Sequence, residues 1–355
     1  MSGPRPYEVE RVAATSVPAE KINETLKAGN IDLISSTLGG KILACSDEYF
    51  APSTNLLNPQ TPIHEAGKMV YTGAWFDGWE TRRHNPSPFD WAIIRLGVAS
   101  GTITGIEIDT AFFTGNNAPE ISVEGVFSPS DEEVVSWAGG RGEWEPILGI
   151  EECGPSARFG WEIAESTGKA YTHVRLNMYP DGGIARFRLF GQAVPIFPMD
   201  AKEVFDLAAA QNGGVALSCS DEHFGVISNL LLPGRGMDMG DGWETRRTRG
   251  EHVDWAIVKL GARGTIERVV VDTAHFRGNF PQKVRVEGLN WERDGEPGNE
   301  EGGWVELVAE SKTGPDALHE FVAMEQGKVF THVKLVMIPD GGVKRLQIWG
   351  ARAAS

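Results

Sequence analysis

Seven residues, Asp-Gly-Trp-Glu-Thr-Arg-Arg, occupy positions 77–83 and return unchanged at 241–247. Two acids and two guanidinium groups this close together can do two kinds of work. The arginines, Arg82 and Arg246 or else Arg83 and Arg247, can grip a carboxylate through paired parallel hydrogen bonds. The acids Glu80, Asp77, Glu244 and Asp241 can give and take a proton. The competing reading is a salt-bridged turn leading into a strand, with Trp79 and Trp243 packed as wedges, because ion-pair networks are common in structural roles. The next five residues diverge between the copies (HNPSP against TRGEH) while all seven persist. That contrast keeps the chemical reading beside the structural one.

Four other phrases recur in both copies. DTAFFTGN ends at Asn116 and DTAHFRGN at Asn279; each is a strand end running into a turn, and the amide of Asn116 or Asn279 can hold a ligand. THVRLNM and THVKLVM place His173 and His332 on the polar side of equivalent strands, where a histidine can assist proton transfer. ACSDEYF and SCSDEHF put two acids after a strand, and the PDGG at 180 and 339 reads as a turn and nothing more. No HxH, HExxH or CxxC spacing demands a metal, and no phosphate loop, dinucleotide fingerprint or G-x-S-x-G is present, so neither metal nor cofactor is expected.

The elements that must position these groups alternate with period two. Val174, Leu176 and Met178 lie on one face against His173, Arg175 and Asn177; Phe187 and Leu189 oppose Arg186 and Arg188; Ile106 with Ile108 and Ile121 with Val123 follow the same rule. Short half-buried strands bounded by Gly, Pro, Asn and Asp predict an antiparallel sandwich. A repeat period of roughly 160 residues far exceeds the roughly 20–50 of solenoid units, so a whole domain is used twice. The expected layout is an N-terminal arm over 1–30 with a short helix in AEKINETLKAG, a first sandwich over 31–194, a stiff connector over 195–203 and a second sandwich over 204–355. The first copy carries an insert after Leu57, which reads as a loop able to cover or block a site there.

Bulk properties exclude several classes. A net charge of -16 with no basic stripe argues against a nucleic-acid partner. No apolar run is long enough to span a membrane, and no charged-then-apolar leader opens the chain. Cys45, Cys153 and Cys219 are too few for a disulfide framework and suit a reducing, cytoplasmic compartment, with Cys45 and Cys219 as small core residues.

Taken together, DGWETRR, DWAIxxLG, DTAxFxGN, THVxLxMxPDGG and the closing RLxxxG resemble the allantoicase family over nearly the whole chain, each motif appearing twice and in order. The resemblance implies a galactose-binding-like jelly-roll in each half and a homo-oligomer. It also implies a reaction: allantoate and water give ureidoglycolate and urea in purine degradation. That chemistry breaks a bond between a CH carbon and nitrogen and leaves acyl bonds alone. It needs a cationic clamp for the carboxylate, an acid for the departing nitrogen and a base for water. DGWETRR supplies these groups. A non-catalytic tandem carbohydrate-binding protein is the alternative, and a metal-dependent amidohydrolase a third.

Overall fold

The structure, a computed structural model, describes residues 12–140, 142–163 and 168–353. The chain divides into two compact units, Met1–Val194 and Pro195–Ser355. Each is an antiparallel sandwich, the class the alternation predicts, with the jelly-roll plan the resemblance implies.

In the first unit one five-stranded sheet runs in the order Ala14–Val17, Arg158–Ile163, Gly101–Asp109, Arg186–Ala193 and Ile31–Asp32. The other runs Glu145–Glu152, Glu120–Val126, His173–Tyr179, Asp90–Arg95 and Lys41–Cys45. Register explains the core. Val174 lies opposite Ile94, Leu176 opposite Ala92 and Val123, and Met178 opposite Ile121, so one face of three strands is apolar. From the other sheet, Phe187 opposite Ile108 and Leu189 opposite Ile106 close on it, and all of these side chains are buried. The burial of this face is worth about 25 cal/mol per Å² of apolar surface removed from water.

The polar side of His173–Tyr179 is buried as well, which alternation does not foretell. Residues 127–140 and 142–144, with the helix Asp131–Ser136 capped by Ser130, pack over it. Arg175, 2% exposed, forks onto Glu124 at 2.7 and 2.9 Å and gives its remaining donors to the carbonyls of Ala138 and Gly140, with the Trp144 ring against it. A buried guanidinium is tolerated because four of its five N–H donors are used and its charge is paired.

The arm belongs to the first sandwich: Ala14–Val17 is its edge strand, paired with Gly160–Ile163. The expected short helix is a 3-10 turn, Ala19–Lys21, followed by one π turn, Asn23–Lys27. Its stripe is as read: Ile22 and Leu26 are buried with Val17 and Phe190. Two sheet glycines make the seat, since a Cβ on Gly160 would lie 2.7 Å from Ile22 and one on Gly105 2.9 Å from Leu26.

The second unit repeats the plan with one change. Asp254–Asp272 is a single strand of 19 residues that pairs with Val329–Ile338 and Val215–Cys219 along its first half and with Arg345–Arg352 and Leu318–Val322 along its second. The first unit splits the same stretch into Asp90–Arg95 and Gly101–Asp109. A strand that passes from one sheet to the other is a known way of turning a sandwich corner. The cysteines are free; Cys45 and Cys219 are half-buried and Cys153 is buried, where burial pushes its thiol up to about 12.

Candidate active site

In both units the seven-residue motif forms a short strand docked on the PDGG turn. Trp79–Glu80 pairs with Gly183–Ile184, and Trp243–Glu244 with Gly342–Val343. Trp79 and Trp243 are fully buried, and their indole N–H groups donate to the carbonyls of Asp47 and Asp221 at 2.8 and 2.9 Å. The hydroxyls of Thr81 and Thr245 accept from the amides of Gly182 and Gly341. Gly183 and Gly342 are required here: a Cβ would lie 2.2 Å from the Phe113 ring in one unit and 2.1 Å from the Phe276 ring in the other. The PDGG turn therefore holds the motif in place, a role beyond the bare turn read from the sequence.

This docking brings Glu80 to Asn116. Glu80 is buried, and its Oε1 accepts from the Asn116 amide at 2.8 Å; the amide of Asn279 donates to Glu244 in the same way. Burial raises the Glu80 carboxyl above its ordinary range, opposed by the Asn116 amide and by the charge of Arg83. A carboxyl whose pKa is raised by its surroundings is better suited to donating a proton than a free one.

The arginines sit at the rim. The Arg82 guanidinium, largely exposed, meets Asp47 at 2.8 Å, and its backbone amide donates to the same carboxylate at 2.6 Å. Arg83 meets Asp181 at 2.8 Å, and Asp181 also accepts from the His84 amide at 2.9 Å. In the second unit Asp221 accepts from the Arg246 amide at 2.7 Å and Asp340 from the Thr248 amide at 3.0 Å. Asp47 and Asp221 read in the sequence only as acids after a strand, and Asp181 and Asp340 only as turn residues; their retention in both copies was the signal for this pairing role.

Asp77 and Asp241 point elsewhere. Asp77 pairs with the buried Arg186 at 2.8 Å and accepts from the Ile63 amide at 2.9 Å, so it ties the motif to the insert. Arg186 in turn donates to the Gln60 carbonyl at 2.9 Å, and His64 stacks on Phe112 at 5.4 Å. The insert thus walls the Asp77 side of the motif, while the tip of its Met69–Val70/Gly73–Ala74 hairpin carries a solvent-exposed Tyr71. The second unit lacks the insert. There Lys344, where the first copy has Ala185, is buried against the Asp241 carboxylate and the Asp238 carbonyl. Burial, with the neighbouring charge of Arg345, lowers the Lys344 amine to about 8. A lysine opposite an alanine was the sequence signal for this compensation, and it was missed.

His173 and His332 are not brought to this site. His173 starts the strand whose other end, Tyr179, leads into the PDGG turn, so about 20 Å of extended chain separates it from Glu80. It is fully buried, with Nδ1 2.8 Å from the Thr172 hydroxyl and Nε2 3.0 Å from Asp131. His332 repeats this with Thr331 at 2.8 Å and Glu296 at 3.0 Å. Burial lowers both imidazoles below their ordinary range. Asp109, at the start of DTAFFTGN, accepts from the Ala111 amide at 2.8 Å and so caps the turn that presents Asn116.

Among the described residues no group of three His, Cys, Asp or Glu lies together as metal ligands would. Two clefts of about 500 and 470 Å³, one beside Trp291 and Phe330 and the other beside Glu151 and Trp161, lie away from the motif. No helix among the described residues is long and apolar enough to cross a membrane.

Comparison with known proteins agrees with the duplicated geometry. The Allantoicase repeat family model matches residues 31–194 and again 205–353. The allantoicase of Neurospora crassa is 63% identical over 348 residues, covering 98% of both chains. That of Saccharomyces cerevisiae is 50% identical over 323 residues, covering 90% of this chain and 93% of its own. A crystal structure of the Saccharomyces cerevisiae allantoicase superposes with a TM-score of 0.81 at 45% identity, over 95% of this chain and 100% of the other. A family model that matches both sandwiches, with relatives of 50–63% identity over nearly the whole length, places this chain in the allantoicase family.

Proposed function

We propose that the protein hydrolyses allantoate to ureidoglycolate and urea, a step of purine degradation, and that the chemistry occurs at the docked DGWETRR motif. The observation that carries the site is the hydrogen bond from the Asn116 amide to the buried Glu80, repeated from Asn279 to the half-buried Glu244. The substrate is a CH carbon bearing one carboxylate and two ureido groups. The rim guanidiniums at 82–83 and 246–247 bind the carboxylate, and the Asn116 or Asn279 amide holds a ureido oxygen while orienting the glutamate.

The raised Glu80 carboxyl gives its proton to the nitrogen of the departing ureido group. As the C–N bond breaks, the electron pair leaves with urea, and the nitrogen of the remaining ureido group forms a double bond to the carbon. Water then adds to that carbon, and its proton returns to the glutamate. The atoms balance: one water enters and one urea leaves. An oxyanion hole is not needed, because no acyl carbon is attacked. In this reading Asp77, Asp241, His173 and His332, which the sequence nominates for acid–base work, hold the scaffold.

The three free cysteines support a cytoplasmic place, and family likeness supports a homo-oligomer, which light scattering checks. The functional test is purified protein incubated with allantoate, with urea and ureidoglycolate measured together. Equal yields of both support the reading. Absence of urea leaves the carbohydrate-binding alternative, and ammonia without urea points to attack on a ureido carbonyl. The site is tested by E80Q combined with E244Q, expected to lower turnover about 100- to 10,000-fold; retention of full turnover removes the glutamates from the chemistry.

A further inference from the structure

The seven motif residues are identical in the two units, yet their guanidinium groups are in different electrostatic states. In the first unit each arginine has a carboxylate of its own: Arg82 with Asp47 and Arg83 with Asp181, both at 2.8 Å. In the second unit neither has one among the described residues. Asp221 takes only the backbone amide of Arg246, whose guanidinium instead lies 3.4 Å from His223 Nδ1, at the position of Tyr49. Asp340, the counterpart of Asp181, takes the Thr248 amide and faces His252 Nε2 at 3.6 Å, leaving Arg247 with no hydrogen bond or ion pair among the described residues.

The loop sequence moves the same way. Asn85 of the first unit, which donates to Asp90 at 2.7 Å, is replaced by Arg249, and Pro88 by His252. Three exposed guanidiniums, Arg246, Arg247 and Arg249, thus crowd one short loop whose own acid is Glu251. An arginine already paired to a protein carboxylate must give up that partner before it can bind another, so the exchange gains little. An unpaired one gains the full charge-assisted, two-pronged contact.

We propose that the two units are not equivalent as anion sites, and that the second binds the carboxylate of the substrate more tightly than the first, through Arg247 with Arg246 beside it. This rests on the functional reading above only for the identity of the anion. The first unit, with its rim neutralised by Asp47 and Asp181, contributes less to anion binding.

The probe is hydantoate, which carries the carboxylate and a single ureido group and has no second ureido group to lose. Its affinity is measured by calorimetry for the full chain and for R247A and R83A, with thermal melting run alongside. R247A is expected to weaken binding by about 10- to 100-fold, the range of a lost charge-assisted hydrogen bond, and to exceed the loss in R83A, with R247K recovering part of it. A loss below tenfold in R247A, or an equal or greater loss in R83A, overturns the proposal. Should R247A not fold, R247Q is read in its place by the same criterion. Turnover of allantoate by the unsubstituted chain is scored separately: its absence sinks the reaction while the hydantoate comparison still decides where the anion binds.

Discussion

Replacing His173 and His332 by asparagine separates a structural histidine from a catalytic one. Each imidazole is buried, with Nδ1 in hydrogen-bond contact with a threonine hydroxyl and Nε2 with a carboxylate. The carboxylates are half exposed, and Asp131 is shared with Arg95 at 3.4 Å. The bond on that side is therefore discounted for solvent. A buried hydrogen bond contributes about 1 kcal/mol net and a partly screened one less, and the smaller side chain leaves a small void, so H173N should cost the first unit about 2–3 kcal/mol. H332N should do the same in the second.

The pH dependence carries a sign. Burial lowers both imidazole pKa values in the folded chain below the ordinary 6.5. Above about 6.5 neither state is protonated and the stability is fully present; as pH falls from there through the folded pKa, the unfolded chain takes up protons first and stability is lost. H173N/H332N should flatten that acid limb. Urea denaturation followed at a series of pH values from 7.5 to about 5, with initial rates of urea release at pH 7.5, reads both effects. A loss of turnover greater than about 100-fold with unchanged denaturation midpoints would refute the separation of these histidines from the site.

Other consequences follow from the same contacts. E80Q should be neutral or stabilising at pH 7 by thermal melting even as turnover falls, because a carboxyl whose pKa burial has raised contributes stability that is lost as pH rises through it. W79A and W243A remove fully buried wedges and should each cost about 3–5 kcal/mol in chemical denaturation. D77N strips the buried Arg186 of its partner and should destabilise the first unit by about 3–5 kcal/mol, whereas K344A leaves Asp241 with the Met237 amide and the more distant charge of Arg345, at 3.8 Å, and should loosen the Trp243–Glu244 strand, read as faster amide exchange there.

What the sequence could disclose follows from what duplication and periodicity measure. Alternation along His173–Tyr179 assigns Val174, Leu176 and Met178 to the core, because sheet geometry sends every second side chain to one face. It cannot say what covers the opposite face; that depends on residues 127–140 and 142–144, whose packing is a tertiary event. Duplication singled out DGWETRR and the asparagine that meets its glutamate, since both must persist for the contact to persist.

Duplication is blind, however, to why a residue persists. His173 and Glu80 are equally repeated, yet one sits in a buried hydrogen-bond relay and the other under an arginine rim, at opposite ends of the same strand system. Identity also hides divergence: Arg83 and Arg247 are the same letter, and only their neighbours, Asp181 in one case and a His252 that occupies Asp340 in the other, make one guanidinium neutralised and the other unpaired. The proposed difference between the two units is a difference in charge that has no partner, and partnership belongs to the folded chain.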